Sequence, residues 1–252
     1  HKEATLAALR AGHHVICEKP LALSLEDVDE MIGAAEKAGR YLMVAHCIRF
    51  WPEYEYLQEL VRTEQFGKPV SAIFRRISPY PGWTGGDDWF SDPNRSGGAL
   101  LDLHVHDVDI VNVLFGKPEA LYAQALFGQK GGTLAVLSQY RYPDGPMVFL
   151  EGSWEYAAFE MSYHVAFEEA EVRYSSSASP TVKVLRKGKE QPEYPEMPPE
   201  DGYLRELRYF VECVRDGRAP ERVSLPSVRE TMALAFAELE SIQKGNVVRP
   251  VP

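Results

Sequence analysis

The chain has 252 residues, 45% hydrophobic and 25% charged, which is the composition of a globular protein with a sizeable core. Its 27 basic and 37 acidic side chains give a net charge of −10, which argues against a nucleic-acid partner, because proteins that bind phosphate backbones concentrate positive charge. The scattered cysteines form no Cys-x-x-Cys pair and no apolar run is long enough to span a bilayer, so we expect a cytoplasmic protein without disulfides or a membrane partner.

Signals for helix and strand alternate in the first part of the chain. Residues 1–10 have a helical apolar pattern, and residues 14–17 form a short apolar segment typical of a buried strand. A second helix is predicted to begin at Ser24 and to end near Gly39, and residues 41–45 form a second apolar strand. This alternation predicts a parallel, doubly wound sheet.

From Lys68 onward the pattern changes to strands. Six segments have the composition of strands: 70–75, 120–126, 134–142, 147–155, 162–167 and 171–175. One helix interrupts them at 99–114, which predicts an open, largely antiparallel sheet in an α+β domain. A proline-rich loop is predicted at 188–202, followed by helices at 203–216 and 226–244.

Glu18, Lys19 and Pro20 follow the first predicted strand directly. In doubly wound sheets, ligands bind at the carboxyl ends of the strands. The proline restricts the residue before it to an extended backbone and admits a cis peptide bond, which would hold Lys19 rigidly. Because a lysine partly desolvated in a cleft can act as a general acid or base, Lys19 is a candidate catalytic residue. The tripeptide by itself more often marks a surface lysine in a turn.

A second group of polar residues follows Gly97 and Gly98. If this stretch is a helix, Asp102, His106 and Asp109 fall at i, i+4 and i+7 on one face. A carboxylate can then orient the imidazole within a cleft. The helical reading therefore makes Asp102 and His106 candidate catalytic residues.

His104 falls among the apolar positions of this helix and is interpreted as a hydrogen-bonded structural histidine. If the stretch were a strand instead, His104 and His106 would share a face and, with Asp102, would resemble a set of metal ligands. Two glycines followed by the helical period favour the helix. No metal site is therefore predicted.

His46 and Arg49 come directly after the second predicted strand, at the same edge of the sheet as Lys19. Both could reach the cleft from there, although an interdomain ion pair and a helix cap fit the sequence equally well. Trp83 and Trp89 lie in an acidic loop that could wall a substrate pocket through ring stacking, or could simply be a packed loop.

The order of these pieces is more specific than any one of them. A buried strand ending in Glu-Lys-Pro is followed by a helix, a strand leading to Arg49 and Phe50, a Gly-Gly-x-x-x-Asp-x-x-x-His-x-x-Asp stretch and a helix pair around Gly217 and Pro220. Over essentially its whole length, the chain resembles the Gfo/Idh/MocA family of oxidoreductases.

The resemblance implies a fold of the α/β plus α+β class. Residues 1–67 would be the remaining part of a dinucleotide-binding Rossmann domain with a parallel sheet. Residues 68–252 would form a C-terminal domain whose large, open, mostly antiparallel sheet contacts substrate, and whose last helix packs back on the first domain. A homo-oligomer assembled through the open sheet is also implied.

Matched motif by motif, the resemblance makes Lys19, Asp102 and His106 the catalytic group and NAD or NADP the cofactor. Glu18 and Pro20 would shape the nicotinamide side of the pocket. The implied reaction is reversible hydride transfer between the carbinol carbon of a sugar, cyclitol or similar small molecule and C4 of the nicotinamide. Either His106 or Lys19 would move the hydroxyl proton, and the other would stabilise the developing oxyanion.

The remaining site predictions place His46 and Arg49 near the cofactor and Trp83, Trp89 and Asp109 near the substrate. The sequence contains no Gly-x-Gly-x-x-Gly motif for the pyrophosphate. The resemblance therefore implies that on the order of 70 residues precede His1 in a complete member, and that this chain without them would bind NAD(P) weakly or not at all.

Two other functions remain open at the level of sequence. A non-catalytic binding or assembly protein could be built on the same fold. A metal-dependent hydrolase or isomerase using Asp102, His104 and His106 is a further alternative.

Overall fold

A computed structural model describes residues 1–82 and 89–250. The α-helices of this part of the chain are α1 (Lys2–Arg10), α2 (Leu25–Ala38), α3 (Pro52–Thr63), α4 (Pro93–Ser96), α5 (Val105–Phe115), α6 (Gly202–Asp216) and α7 (Leu225–Lys244). The strands are β1 (Val15–Cys17), β2 (Leu42–Val44), β3 (Pro69–Pro79), β4 (Ala120–Phe127), β5 (Thr133–Arg141), β6 (Met147–Ser153), β7 (Glu155–Phe167), β8 (Ala170–Ser175) and β9 (Val182–Arg186).

The first sheet is the parallel pair β1 and β2, with Val15 opposite Leu42. Helix α2 connects the two strands and begins as predicted, because the Oγ of Ser24 accepts a hydrogen bond from the backbone nitrogen of Asp27 at 3.2 Å. It ends at Gly39, whose φ of +60° is readily adopted only by glycine. The predicted alternation of helix and strand is confirmed.

The second sheet has seven strands in the order β4-β5-β6-β3-β7-β8-β9. Its neighbouring strands are antiparallel except β3 and β6, which run parallel. The predicted class, a parallel segment followed by a large, mostly antiparallel sheet, is therefore confirmed. Three of the elements given above were not predicted from the sequence, namely α3, with Pro52 in its first turn, the short helix α4 and the five-residue edge strand β9.

One face of the large sheet is covered by helices and the other is open. On the covered face, the hydroxyl of Tyr163 on β7 donates to the backbone oxygen of Glu53 on α3 at 2.8 Å. Helix α7 lies against β4 and also reaches the first sheet, where Arg229 pairs with Asp29 of α2 at 2.6 Å. The division of the chain at residue 67 stays a prediction. No helix in residues 1–82 or 89–250 combines the length and hydropathy of a membrane span.

Candidate active site

Lys19 connects the carboxyl edge of the first sheet to the helix that begins at residue 100. Strand β1 ends at Cys17, and a cis peptide bond joins Lys19 to Pro20. The Nζ of Lys19 donates to the backbone oxygen of Asp102 at 2.5 Å and to its Oδ1 at 3.0 Å. The side chains of Lys19 and Asp102 are 15% and 25% exposed. The structure thus brings together two of the three predicted catalytic residues, 83 positions apart in the chain.

The helix that carries Asp102 begins with a π-helical turn, Leu100–His104, which continues into α5. Gly97 and Gly98 precede it with φ of +75° and +67°. A Cβ on Gly98 would lie 2.6 Å from the backbone nitrogen of Thr133 on β5, so only glycine permits this approach. The stretch is helical, as predicted, and its interpretation as a strand with paired histidines is wrong.

His106, the third predicted catalytic residue, lies one turn beyond Asp102 and is half-buried. Burial lowers the pKa of His106 well below its ordinary value, and the positive charges of Lys19 and Arg76 lower it further. The imidazole is therefore neutral at physiological pH and able to accept a proton. Its Nδ1 is buried and has no hydrogen-bond partner within the described part of the chain.

A cleft of about 370 Å³ opens beside Lys19 and Asp102. One part of its wall is the apolar segment that begins at Pro20, and another is formed by Trp89 and helix α4. Glu18 is exposed on the same turn as Lys19 but does not line this cleft. The cleft therefore combines an apolar wall with a paired cation and carboxylate.

Of the two tryptophans predicted to wall a substrate pocket, the structure describes Trp89. Trp89 lines the cleft and stacks on Phe90, with 3.9 Å between the ring centroids. Trp83 lies outside the described residues. His106 is adjacent to the Lys19 pair but is not among the residues that line the cleft.

Arg49 and Asp109 form a buried ion pair. The guanidinium donates from Nη2 to Oδ1 of Asp109 at 2.5 Å and from Nε to Oδ2 at 2.8 Å. Thr231 Oγ1 donates to Oδ1 at 2.9 Å. Burial would raise the pKa of Asp109, but Arg49 holds it below its ordinary value. The two charges thus satisfy each other in the interior, where a buried charge is stable only with a close partner. That Arg49 contacts a cofactor and Asp109 a substrate stays a prediction.

His46 lies beside the same ion pair and is fully buried. Its predicted contact with a cofactor stays a prediction. Its Nδ1 lies 3.5 Å from Oδ2 of Asp109, and neither ring nitrogen has a hydrogen-bond partner among the described residues. Burial lowers the pKa of His46 to about 4 despite the nearby Asp109 carboxylate. The side chain is therefore a neutral imidazole in the interior.

His104 is the structural histidine that the sequence predicted. Its Nε2 lies 3.3 Å from Oγ of Ser138 and 3.1 Å from Oε2 of Glu238, and the ring is fully buried. Burial disfavours the charged ring, but Glu238 raises the pKa of His104 above its ordinary value. A search of the described residues finds no group of three or more His, Cys, Asp or Glu placed to hold a metal ion.

The sequence analysis missed a second buried ion pair, between Arg76 of β3 and Asp107 of α5. Arg76 donates from Nε to Oδ2 of Asp107 at 2.9 Å and from Nη2 to Oδ1 at 3.2 Å. The alternation of β3 contained a signal, because Arg76 shares the inward face with Phe74. A charged residue on the inward face of a strand requires a buried partner. This pair matters for the site because Arg76 contributes to the low pKa of His106.

Comparison with protein families matches the chain in two segments. Residues 1–46 match the model described as "Oxidoreductase family, NAD-binding Rossmann fold". Residues 54–173 match the "GFO/IDH/MocA C-terminal domain". The two matches follow each other along the chain and fall on the first and second sheets described above.

Similar proteins include two enzymes of known activity. The chain is 36% identical over 153 residues to 1,5-anhydro-D-fructose reductase of Ensifer adhaerens, a match that covers 58% of this chain and 44% of that enzyme. It is 27% identical over 262 residues to myo-inositol 2-dehydrogenase of Thermotoga maritima, covering 99% of this chain and 76% of that enzyme. The match thus spans less than half the length of the first relative and about three quarters of the second.

The fold is also found in solved structures. Aldose-aldose oxidoreductase from Caulobacter crescentus, solved in complex with glycerol, superposes with a TM-score of 0.86 at 23% sequence identity. The superposition covers 99% of this chain and 76% of that protein. At this identity, the similarity establishes the fold.

Proposed function

Because the chain belongs to the GFO/IDH/MocA family of oxidoreductases, we propose that it carries the catalytic residues of an NAD(P)-dependent enzyme that oxidises or reduces a sugar, cyclitol or similar hydroxylated molecule. The observation that carries this proposal is the hydrogen-bonded pair of Lys19 and Asp102 beside a neutral His106. The pair lies at the carboxyl edge of a parallel strand, where doubly wound sheets bind their ligands.

The residues of the cleft fit a nicotinamide ring. Leu23, which lines the cleft and is 36% exposed, offers an apolar surface against which a flat ring can pack, and Lys19 lines the same cleft. Glu18, exposed on the same turn, would contact the cofactor outside this cleft. The bound nicotinamide would supply the carbon that accepts or donates hydride.

The protein's own groups divide the proton chemistry between them. In the oxidation direction, neutral His106 accepts the proton of the substrate hydroxyl as the O–H bond breaks. The Lys19 ammonium donates a hydrogen bond to the oxygen, which becomes partly anionic as the carbonyl forms. Asp102 holds the ammonium in position through its Oδ1 and its backbone oxygen. In the reduction direction, the proton moves back from His106.

The substrate class is supported by the walls of the cleft and by the relatives. Trp89 presents an aromatic face of the kind on which sugar rings stack. Asn94 lines the same cleft, and its exposed side chain can hydrogen-bond hydroxyl groups. The two enzymes with which the chain aligns are named for an anhydrosugar and a cyclitol.

The proposal is tested by assaying the full-length protein against a panel of sugars, anhydrosugars and cyclitols with NAD⁺ and NADP⁺, following the absorbance of the reduced nicotinamide. Turnover of at least one member is expected. A protein that binds neither cofactor would favour a non-catalytic binding or assembly role on the same fold.

We also propose that the open face of the large sheet is a homo-oligomer interface. Ile73, Leu137, Met147 and Phe149 are 41–59% exposed on adjacent strands at the centre of that face. A contiguous apolar patch of this kind marks an interaction surface. A twofold axis would place the same patch on both subunits.

A single glutamate on this face should separate the subunits. Leu137→Glu buries a charge in the apolar patch, so the solution mass measured by light scattering is expected to fall to that of a monomer. Val211→Glu is the matched control, because Val211 is 63% exposed on α6, away from the sheet. An unchanged mass in Leu137→Glu, or an equal change in both variants, would contradict the interface.

A further inference from the structure

Three buried ring nitrogens at the site have no hydrogen-bond partner in the described part of the chain. They are Nδ1 of His106 and both nitrogens of His46. A buried polar atom left without a partner is destabilising. Other described side chains also carry one such atom, Nδ1 of His104 among them, but His46 has no partner for either ring nitrogen. One arrangement of the two imidazoles can give all three of these nitrogens a partner.

Asp109 links His46 to the helix face that carries His106. His106 and Asp109 are three residues apart on α5, so their side chains leave the helix on the same face in successive turns. The Nδ1 of His46 lies 3.5 Å from Oδ2 of Asp109 and hence against that face. His46 is also close enough to contribute to the low pKa of His106.

The carboxylate determines which nitrogen of His46 carries the proton. Oδ2 of Asp109 accepts one hydrogen bond, from Nε of Arg49 at 2.8 Å, and has a further lone pair available for Nδ1 of His46. A neutral imidazole has a single N–H, and the negative charge favours it at Nδ1. The Nε2 of His46 then carries a lone pair in the protein interior.

We propose that His46 is a positioning residue for His106, an inference that rests on the proposed function. Because the two atoms make no direct hydrogen bond, the Nε2 lone pair of His46 accepts the Nδ1 proton of His106 through one bound water molecule. His106 is thereby fixed in the tautomer whose Nε2 lone pair is free for the substrate hydroxyl. Each of the three unpaired nitrogens gains a partner in this arrangement.

The water-mediated contact between His46 and His106 also bears on the protonation of His106. Lys19 and Arg76 both oppose a positive charge on this ring. When His106 takes the hydroxyl proton, His46 is neutral and can accept the hydrogen bond from the imidazolium through that water, with the Asp109 carboxylate behind it. A buried carboxylate behind an imidazole is an established way of fixing the tautomer and orientation of a catalytic histidine.

The tautomer is measured directly by ¹⁵N NMR of the full-length protein with labelled histidine. The His106 signals are identified by their loss in His106→Gln. The proposal predicts a proton on Nδ1 and a bare Nε2 for wild-type His106. In His46→Phe, which fills the site without an acceptor, this preference is expected to be lost. In His46→Gln, whose side-chain oxygen can accept the proton, it is expected to persist.

A proton on Nε2 of wild-type His106 would overturn the proposal whether or not any variant folds. So would an unchanged His106 tautomer in folded His46→Phe. Neither measurement needs turnover, so a failure of this inference is distinguishable from a failure of the proposed oxidoreductase activity.

Kinetics give a second, independent readout. His46→Phe is expected to lower kcat about 10- to 100-fold, as loss of an orienting partner does at other sites, while KM for the substrate and the affinity for NADH stay near wild type. His46→Gln should recover most of kcat. Equal losses of kcat in the phenylalanine and glutamine variants would mean that His46 acts through packing alone, and would contradict the proposal.

Discussion

Replacement of Lys19 by methionine is expected to lower kcat of the full-length protein about 10²- to 10³-fold, the usual effect of removing one donor to a developing oxyanion. Methionine keeps most of the apolar stem and removes the ammonium that donates to Asp102 at 2.5 and 3.0 Å. The affinity for NADH should change little, because the substitution leaves the backbone of Glu18, Lys19 and Pro20 in place. Steady-state kinetics and an NADH titration on the same preparation separate the two effects.

The matched control for this variant is Lys37→Met. Lys37 is an exposed lysine in the last turn of α2, outside the cleft. It should leave kcat and the thermal midpoint at wild-type values. If Lys19→Met kept the wild-type kcat, the ammonium would have no part in the chemistry and Lys19 would be a structural residue.

The largest effect on stability is expected from Asp107→Asn, which should lower the free energy of unfolding by about 3–5 kcal/mol. The substitution keeps the size of the side chain but leaves Arg76, 3% exposed, without its counter-charge. Burial disfavours the charge on Arg76, and Asp107 raises the pKa of Arg76 above its ordinary value. A urea titration monitored by tryptophan fluorescence measures the change.

Two further variants show that the loss reflects an unpaired buried charge. Arg76→Met combined with Asp107→Leu removes both charges and should recover most of the stability, since apolar replacement of a buried pair is often neutral or favourable. Glu59→Gln is the control for an exposed ion pair. It breaks the pair between Glu59 and Arg62, whose side chains are 55% and 70% exposed respectively, and should change the free energy of unfolding by less than about 1 kcal/mol. Equal losses in Asp107→Asn and Glu59→Gln would contradict this explanation.

The parts of the fold that were predictable from the sequence are those with local signals. The Ser24 cap, the glycines at 97 and 98, and the apolar periodicity after them all act within a few residues of their own position. Lys19 was identifiable as a site residue for the same reason, since it directly follows a buried strand and precedes a proline. The open antiparallel sheet was predicted from six segments with the composition of strands, interrupted by one helix.

Pairing between distant side chains was not predictable. Arg49 and Asp109 are 60 positions apart, and nothing in the sequence indicates that they pair with each other. The predicted helical spacing of Asp102, His106 and Asp109 was correct. It did not show that the helix face turns into the protein interior at Asp109, beyond His106. The π-helical turn at Leu100–His104 and strand β9 depend on neighbours from other elements, Thr133 and β8, and had no local signature.

The central claim, hydride transfer at the Lys19 cleft, is tested most directly with a deuterated substrate. The full-length protein is incubated with NAD⁺ or NADP⁺ and with myo-inositol or another polyol of the panel deuterated at its carbinol carbons, and NMR locates the label in the recovered nucleotide. We expect deuterium at C4 of the nicotinamide, on one face only, in wild type, and the same transfer at a greatly reduced rate in Lys19→Met. Cofactor that binds yet acquires no deuterium from any member of the panel would contradict it.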